Sequence, residues 1–151
     1  MNLTAVKTKL AAALAANVDM APSLQAHAYQ PGSIGAVPAI FPSDERIDYD
    51  LTHGRGHDRV VLTLRLLVSP QDNEAGQRLL DALASGSGPA SVPAAILAVR
   101  GAPGEAALGG ACDDLTVQTM NGVRLYEHGG ITYLGTEFTV LVIGKGDIND
   151  G

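Results

Sequence analysis

LTVQTMNGVRLY (Leu115 to Tyr126) and ITYLGTEFTVLVI (Ile131 to Ile143) are two long runs that alternate apolar and polar residues and flank Gly129-Gly130. A two-residue hairpin turn needs both central residues at positive φ, and a glycine pair supplies them without steric cost. The stretch therefore reads as a β-hairpin, apolar enough to belong to a core. Arg59 to Ser69 extends the same logic. Val60, Leu62, Leu64, Leu66 and Val68 share one face while Arg59, Thr63 and Arg65 share the other, which is the signature of a strand buried on one side.

Around these strands the pattern shifts to helical spacing. Leu3, Val6, Leu10 and Leu14 recur at three- and four-residue steps, predicting an amphipathic helix from Asn2 to Ala16, with Pro22 beyond its end. Ser69-Pro70-Gln71-Asp72 reads as a capped helix start whose buried stripe is Ala75, Leu79, Leu80 and Leu83. Ser91-Val92-Pro93 opens a short helix carrying Ala95, Ile96 and Val99. Short strands are expected at Leu24 to Tyr29, Val37 to Phe41 and Arg46 to Asp50, and a loop from Leu51 to Asp58 around Gly54-Arg55-Gly56. The order predicts an α+β fold: a mostly antiparallel sheet with a long C-terminal hairpin and helices packed on one face. One domain is expected over residues 1–146, with 147–151 a loose polar tail.

Composition narrows the function classes. The 151 residues include no Trp, two Phe and four Tyr, so the core is aliphatic. A formal charge of -6 opposes binding to a polyanion, and no basic patch offsets it. Cys112 is the single cysteine, which excludes an intramolecular disulfide and a multi-thiolate zinc site and fits a reducing compartment. The N-terminus lacks the uninterrupted apolar block of a signal peptide, and no run approaches the roughly 18 residues that a membrane helix needs. A soluble product made in the cytoplasm is expected.

The residues that could carry chemistry have plainer explanations. His53 and His57 flank Gly54-Arg55-Gly56, where two glycines disfavour a helix and Arg55 repels a cation, so no metal is expected. Gly101 to Gly110 lacks the lysine and Ser/Thr of a nucleotide loop and reads as a turn. Asp147, Asn149 and Asp150 echo a calcium loop that ends before any bidentate glutamate. Cys112 precedes two acids, Asp113 and Asp114, that suppress thiolate formation. Asp44, Glu45, Asp48 and Asp50 form an acidic run without the aromatic platforms of a sugar cleft, and fit a solvated strand edge or a subunit contact. No catalytic residue, cofactor or metal is assigned.

Taken together, Ser91-Val92-Pro93-Ala94-Ala95-Ile96, Leu108-Gly109-Gly110, Asp114 to Gln118 and Gly129 to Val140 resemble the C-terminal half of tail terminator proteins of long-tailed, non-contractile phages, especially those of actinobacteria. The front half is similar in outline: an N-terminal helix, Ala39-Ile40-Phe41-Pro42, the Tyr49-Asp50 pair, a polar loop and a strand ending in Val68-Ser69. The resemblance implies an α+β subunit of a six-membered ring that caps the head-proximal end of the tail tube, stops its polymerisation and presents the head-joining surface. Its implied partners are further copies of itself, the tail tube protein and a head-tail connector protein, in the neck of the virion. The ring implied by the resemblance is expected to let DNA pass without specific binding, and no membrane is expected to be involved. Another neck, connector or tube protein of similar fold is the nearest alternative. A small-molecule binding module or metal-dependent enzyme using His53 and His57 is the second.

Heterologous ring contacts draw on exposed strand edges, which the hairpin strands and Arg59 to Ser69 are expected to offer. The candidate interface residues are Asp44, Glu45, Arg46, His53, Arg55, His57 and Arg59. Here Arg46, Arg55 and Arg59 are expected to pair acids on a partner, and Leu51 to Asp58 to order against the last ring of the tube. Ordering such a loop costs about 1 to 2 kcal/mol per residue, so it requires a preformed surface. Removing Gly54 to Gly56 is expected to leave the fold intact while tails lose their length control. Normal tail lengths in electron micrographs of that mutant phage would refute the role given to the loop.

Overall fold

The structure is a computed structural model that describes residues 1–20, 23–49, 56–70 and 73–145. In chain order it comprises α1 (Leu3–Asn17), β1 (Gln25–Ala26), β2 (Ala39–Asp48), β3 (His57–Ser69), α2 (Glu74–Ala84), α3 (Val92–Leu97), β4 (Asp114–Met120), β5 (Arg124–His128) and β6 (Ile131–Lys145). The described strands form one six-stranded sheet in the order β1-β2-β3-β6-β4, and β5 also pairs with β6. Only the short β1 runs parallel to its neighbour. The α+β class and the helix-covered, mostly antiparallel sheet are as the sequence pattern predicts.

The hairpin turns at Gly129 and Gly130, with φ of 61° and 82°, so that His128 faces Ile131. Its first strand differs from the expectation. The run 115–126 is divided into β4 and β5, which pair with successive parts of β6, and the register slips between Val117 and Thr119. The second strand is longer than read, at 15 residues. It pairs on its other side with β3 from His57–Lys145 to Ser69–Leu134. Where two short strands were expected over residues 37–50, one strand runs from Ala39 to Asp48. Pro42 is accommodated because the register shifts beside it, between Pro42 and Asp44, the kind of bulged edge that tolerates a missing N–H.

The helices bury their apolar stripes on one face. Val6, Leu10 and Leu14 of α1, Leu80 and Leu83 of α2, and Val92, Ala95 and Ile96 of α3 meet Val60, Leu62, Leu64 and Leu66 of β3 and Phe138, Val140 and Val142 of β6. Each fully buried Leu, Ile or Val contributes about 1.5 to 3 kcal/mol relative to an exposed one. Caps fix the helix starts: Asn2 accepts from Ala5 N at 3.1 Å and Ser91 Oγ from Ala94 N at 3.0 Å. The start expected at residues 69–72 is corrected. Ser69 ends β3, residues 71–72 lie outside the described residues, and Asn73 caps α2 by accepting from Gly76 N at 2.8 Å.

Leu66, Leu67 and Val68 are all buried, which breaks the alternation of β3 at its end. Leu67 instead joins Phe41 and Tyr133 in a second cluster on the opposite face, with Ile34 and Val37 packed against it. The segment before β2 thus straps one end of that face. It is tacked to the hairpin tip where the His128 Nε2 lies 2.6 Å from the Pro31 carbonyl and its ring meets Phe41 at 5.2 Å.

Gly135 marks the closest approach of β6 to β3. A Cβ placed there would lie 2.1 Å from the Leu66 carbonyl oxygen, which is backbone and cannot swing away. Gly135→Ala is expected to cost about 1 to 3 kcal/mol, read as a lower urea midpoint with an unchanged slope.

Candidate functional site

Among the described residues the sheet ends in two edges, and three of the candidate residues, Asp44, Glu45 and Arg46, lie on one of them. β1 covers β2 only at Ala39 and Ile40, so residues 42–48 have no strand on their outer side among the described residues. Along this edge Asp44 is exposed and accepts from the Glu45 backbone N at 2.8 Å. Glu45 reaches Lys7 of α1 at 3.1 Å. Asp48 receives Arg59 Nε and Nη2 at 3.1 and 2.9 Å, and the exposed Arg46 approaches the same carboxylate at 3.4 Å. Hydrogen bonding from Arg59, aided by the charges of both arginines, outweighs desolvation and holds the Asp48 carboxyl below its usual value.

Several expectations change in this setting. Arg59, expected to pair acids on a partner, pairs with Asp48 of its own chain. His57 stands at the start of β3, 3.6 Å from Asp113. His53 and Arg55, with Asp50 and most of the loop 51–58, lie outside the described residues, as does the acidic tail at 147–150. The strand 59–69 is central, flanked by β2 and β6, and offers no edge. Of the hairpin, only β4 and β5 do.

This second edge lies on the first run of the hairpin, where an edge was expected, but that β6 would be central instead depends on strand order, which no strand's own pattern states. The edge runs beside Leu97, Val123 and Leu125, exposed at 63%, 50% and 57%. A shallow apolar groove between α3 and β4 is lined by Pro93, Ile96, Leu97, Leu115 and Val117. At the N-terminal end of β4 an open cleft of about 680 Å³ is bounded by Leu97, Arg100, the 101–106 loop, Asp113 and Asp114. Arg100 is already paired there with Asp114 through two hydrogen bonds of 2.9 and 3.2 Å, which lower the Asp114 carboxyl and raise the guanidinium.

The face opposite the helices carries a polar cluster. Glu137 accepts from Arg65 at 3.2 Å and from Ser43 Oγ at 3.0 Å, and the Arg65 guanidinium lies 4.5 Å over the Tyr126 ring. These residues bind β2, β3, β5 and β6 to one another. Sequence reasoning missed them, and the signal available was the charged Arg65 on a strand whose neighbours on that face are short or aromatic.

Cys112 is 3% exposed, and burial, with the charges of Asp113 and Asp114 adding, pushes its thiol to about 11. Among the described residues no three His, Cys, Asp or Glu side chains are placed to share a metal ion, and no helix is long and apolar enough to cross a membrane. No family model matches this chain, and no curated protein matches it.

Two outcomes follow from the electrostatics. Asp48 and Asp114 have folded values below their ordinary 3.8. Their contribution to stability is therefore complete above that value and is lost as pH falls through the lower folded values. Carboxyl titration by NMR should place both below 3.8, and Arg59→Ala should return Asp48, but not Asp114, toward the ordinary value. Cys112 should resist iodoacetamide at neutral pH in the folded protein and react once denatured. Rapid labelling of the native protein would contradict the buried, protonated thiol.

Proposed function

We propose that the chain is a structural virion protein that forms a ring on the head-proximal end of a phage tail tube, ends tube polymerisation and provides the surface to which the head joins. The resemblance carried by residues 91–96, 108–110, 114–118 and 129–140 motivates this reading. The structural observation that supports it best is a sheet that, among the described residues, is left open at two opposite edges, one of them bearing the acidic strand β2. Open edges adapt a subunit to heterologous contacts that close after a fixed number of copies. The net charge of -6 suits a passage through which DNA slides, because a negatively charged wall repels phosphates instead of holding them. On this reading the chain acts without a catalytic centre or cofactor, in the neck of the virion, with the tail tube protein and a head-tail connector as its partners.

The decisive experiment removes the gene and images the particles. A terminator predicts overlong tails that do not join filled heads. Tails of normal length, free beside tailless heads, would assign the chain to head joining alone, and native mass spectrometry of the purified protein with tail tubes would report the number of copies per ring.

A further inference from the structure

The long strands alternate strictly in direction: β2 against β3, β3 against β6, β6 against β4. Four alternating strands leave the two outer ones antiparallel to each other. A second copy brought beside the first by rotation about an axis along the strands would therefore set its β2 antiparallel to the first copy's β4. That is the relation that continues the ladder unbroken.

The two open edges also lie at the same height. Register pairs trace rows straight across the sheet: Asp48, Arg59, Ile143 and Asp114 form one row, and Pro42, Leu64, Phe138 and Met120 another. Between them runs Arg46, Val61, Leu141 and Thr116. The part of β2 that β1 leaves uncovered thus spans the same rows as β4. A neighbour needs no rise along the strand direction to pair, which is the condition for a closed ring instead of a helical filament.

Side chains are compatible with this placement. Asp114 is the one charged residue of β4, and the neighbour's Arg46, 68% exposed, falls two rows from it, on the same face of the sheet. Asp48 and Asp114 would share a row, but Arg59 and Arg100 already neutralise them. The neighbour's Asp44 falls near the neutral Gln118. β4 also lacks the lysines and prolines that ordinarily protect an exposed edge, and the exposed Leu97 stands beside it. The geometry points to β4 of one copy pairing antiparallel with residues 42–48 of the next, with Arg46 and Thr116 in one row. This inference rests on the ring reading and specifies the contact that builds the ring.

Cysteine pairs test it. Cys112 is buried and can remain. Arg46→Cys combined with Thr116→Cys should give, on mild oxidation with or without tail tubes, a ladder of disulfide-linked oligomers ending at one closed size, while each single variant stays uncrosslinked. Thr119→Glu, which sets a new acid in the row of the neighbour's Asp44, should weaken assembly on the order of tenfold with an unchanged circular dichroism spectrum. Disulfide dimers from Thr116→Cys alone would show β4 pairing with β4 in a two-fold dimer and overturn the proposal. Rings seen by native mass spectrometry in which the Arg46/Thr116 pair and its combinations with Gln118→Cys and Thr119→Cys all fail to cross-link would overturn this contact and leave the ring reading intact. A protein that stays monomeric even beside tail tubes would sink both.

Discussion

The antiparallel pairing of β3 with β6 is the constraint on which the remainder of the molecule depends. These are the longest strands, at 13 and 15 residues, and their common face supplies most of the floor against which all three helices pack. The other strands take their places from them in turn: β2 is positioned by β3, β4 and β5 by β6, and the short β1 by β2. The two partners are also far apart in sequence, so the central ladder can close only after a large loop entropy has been overcome. The helices between them, α2 and α3, bear on the same face and shorten the search once they form.

Elements whose character is local were legible in the sequence. The hairpin turn, α1 with its stripe, α3 with its serine cap and the alternation of β3 follow from spacing and from turn or cap chemistry that neighbouring residues supply. What depends on non-local pairing was not. Pro42 divides β2 on paper, yet a slip of register beside it keeps the strand whole. Ser69 has the chemistry of a cap, yet it still pairs with Leu134 as the end of β3, and the capping role passes to Asn73. Leu67 reads as an irregularity in an alternating strand until the second cluster explains it.

The candidate site divides in the same way. Asp44, Glu45 and Arg46 were recognisable as an edge from their density of charge. Arg59 looked equally available, but the register brings Asp48 opposite it, and that partner is invisible without the pairing. The identity of the edges themselves is a property of strand order, which no strand carries in its own residues. An open sheet edge is a matter of backbone pairing and strand order, and this explains why the elements were more readable here than the order in which they pair.

The strap over the hairpin tip has a further effect on how the sheet opens. The end of a long β-ribbon is ordinarily the first part to fray, since it has few neighbours and one pair of hydrogen bonds to break at a time. Here His128, Phe41 and Tyr133 fasten that end to the segment preceding β2, so that peeling the tip apart also means lifting buried aromatic rings into water. Opening is therefore costlier at the tip than its place at the end of the ribbon would suggest.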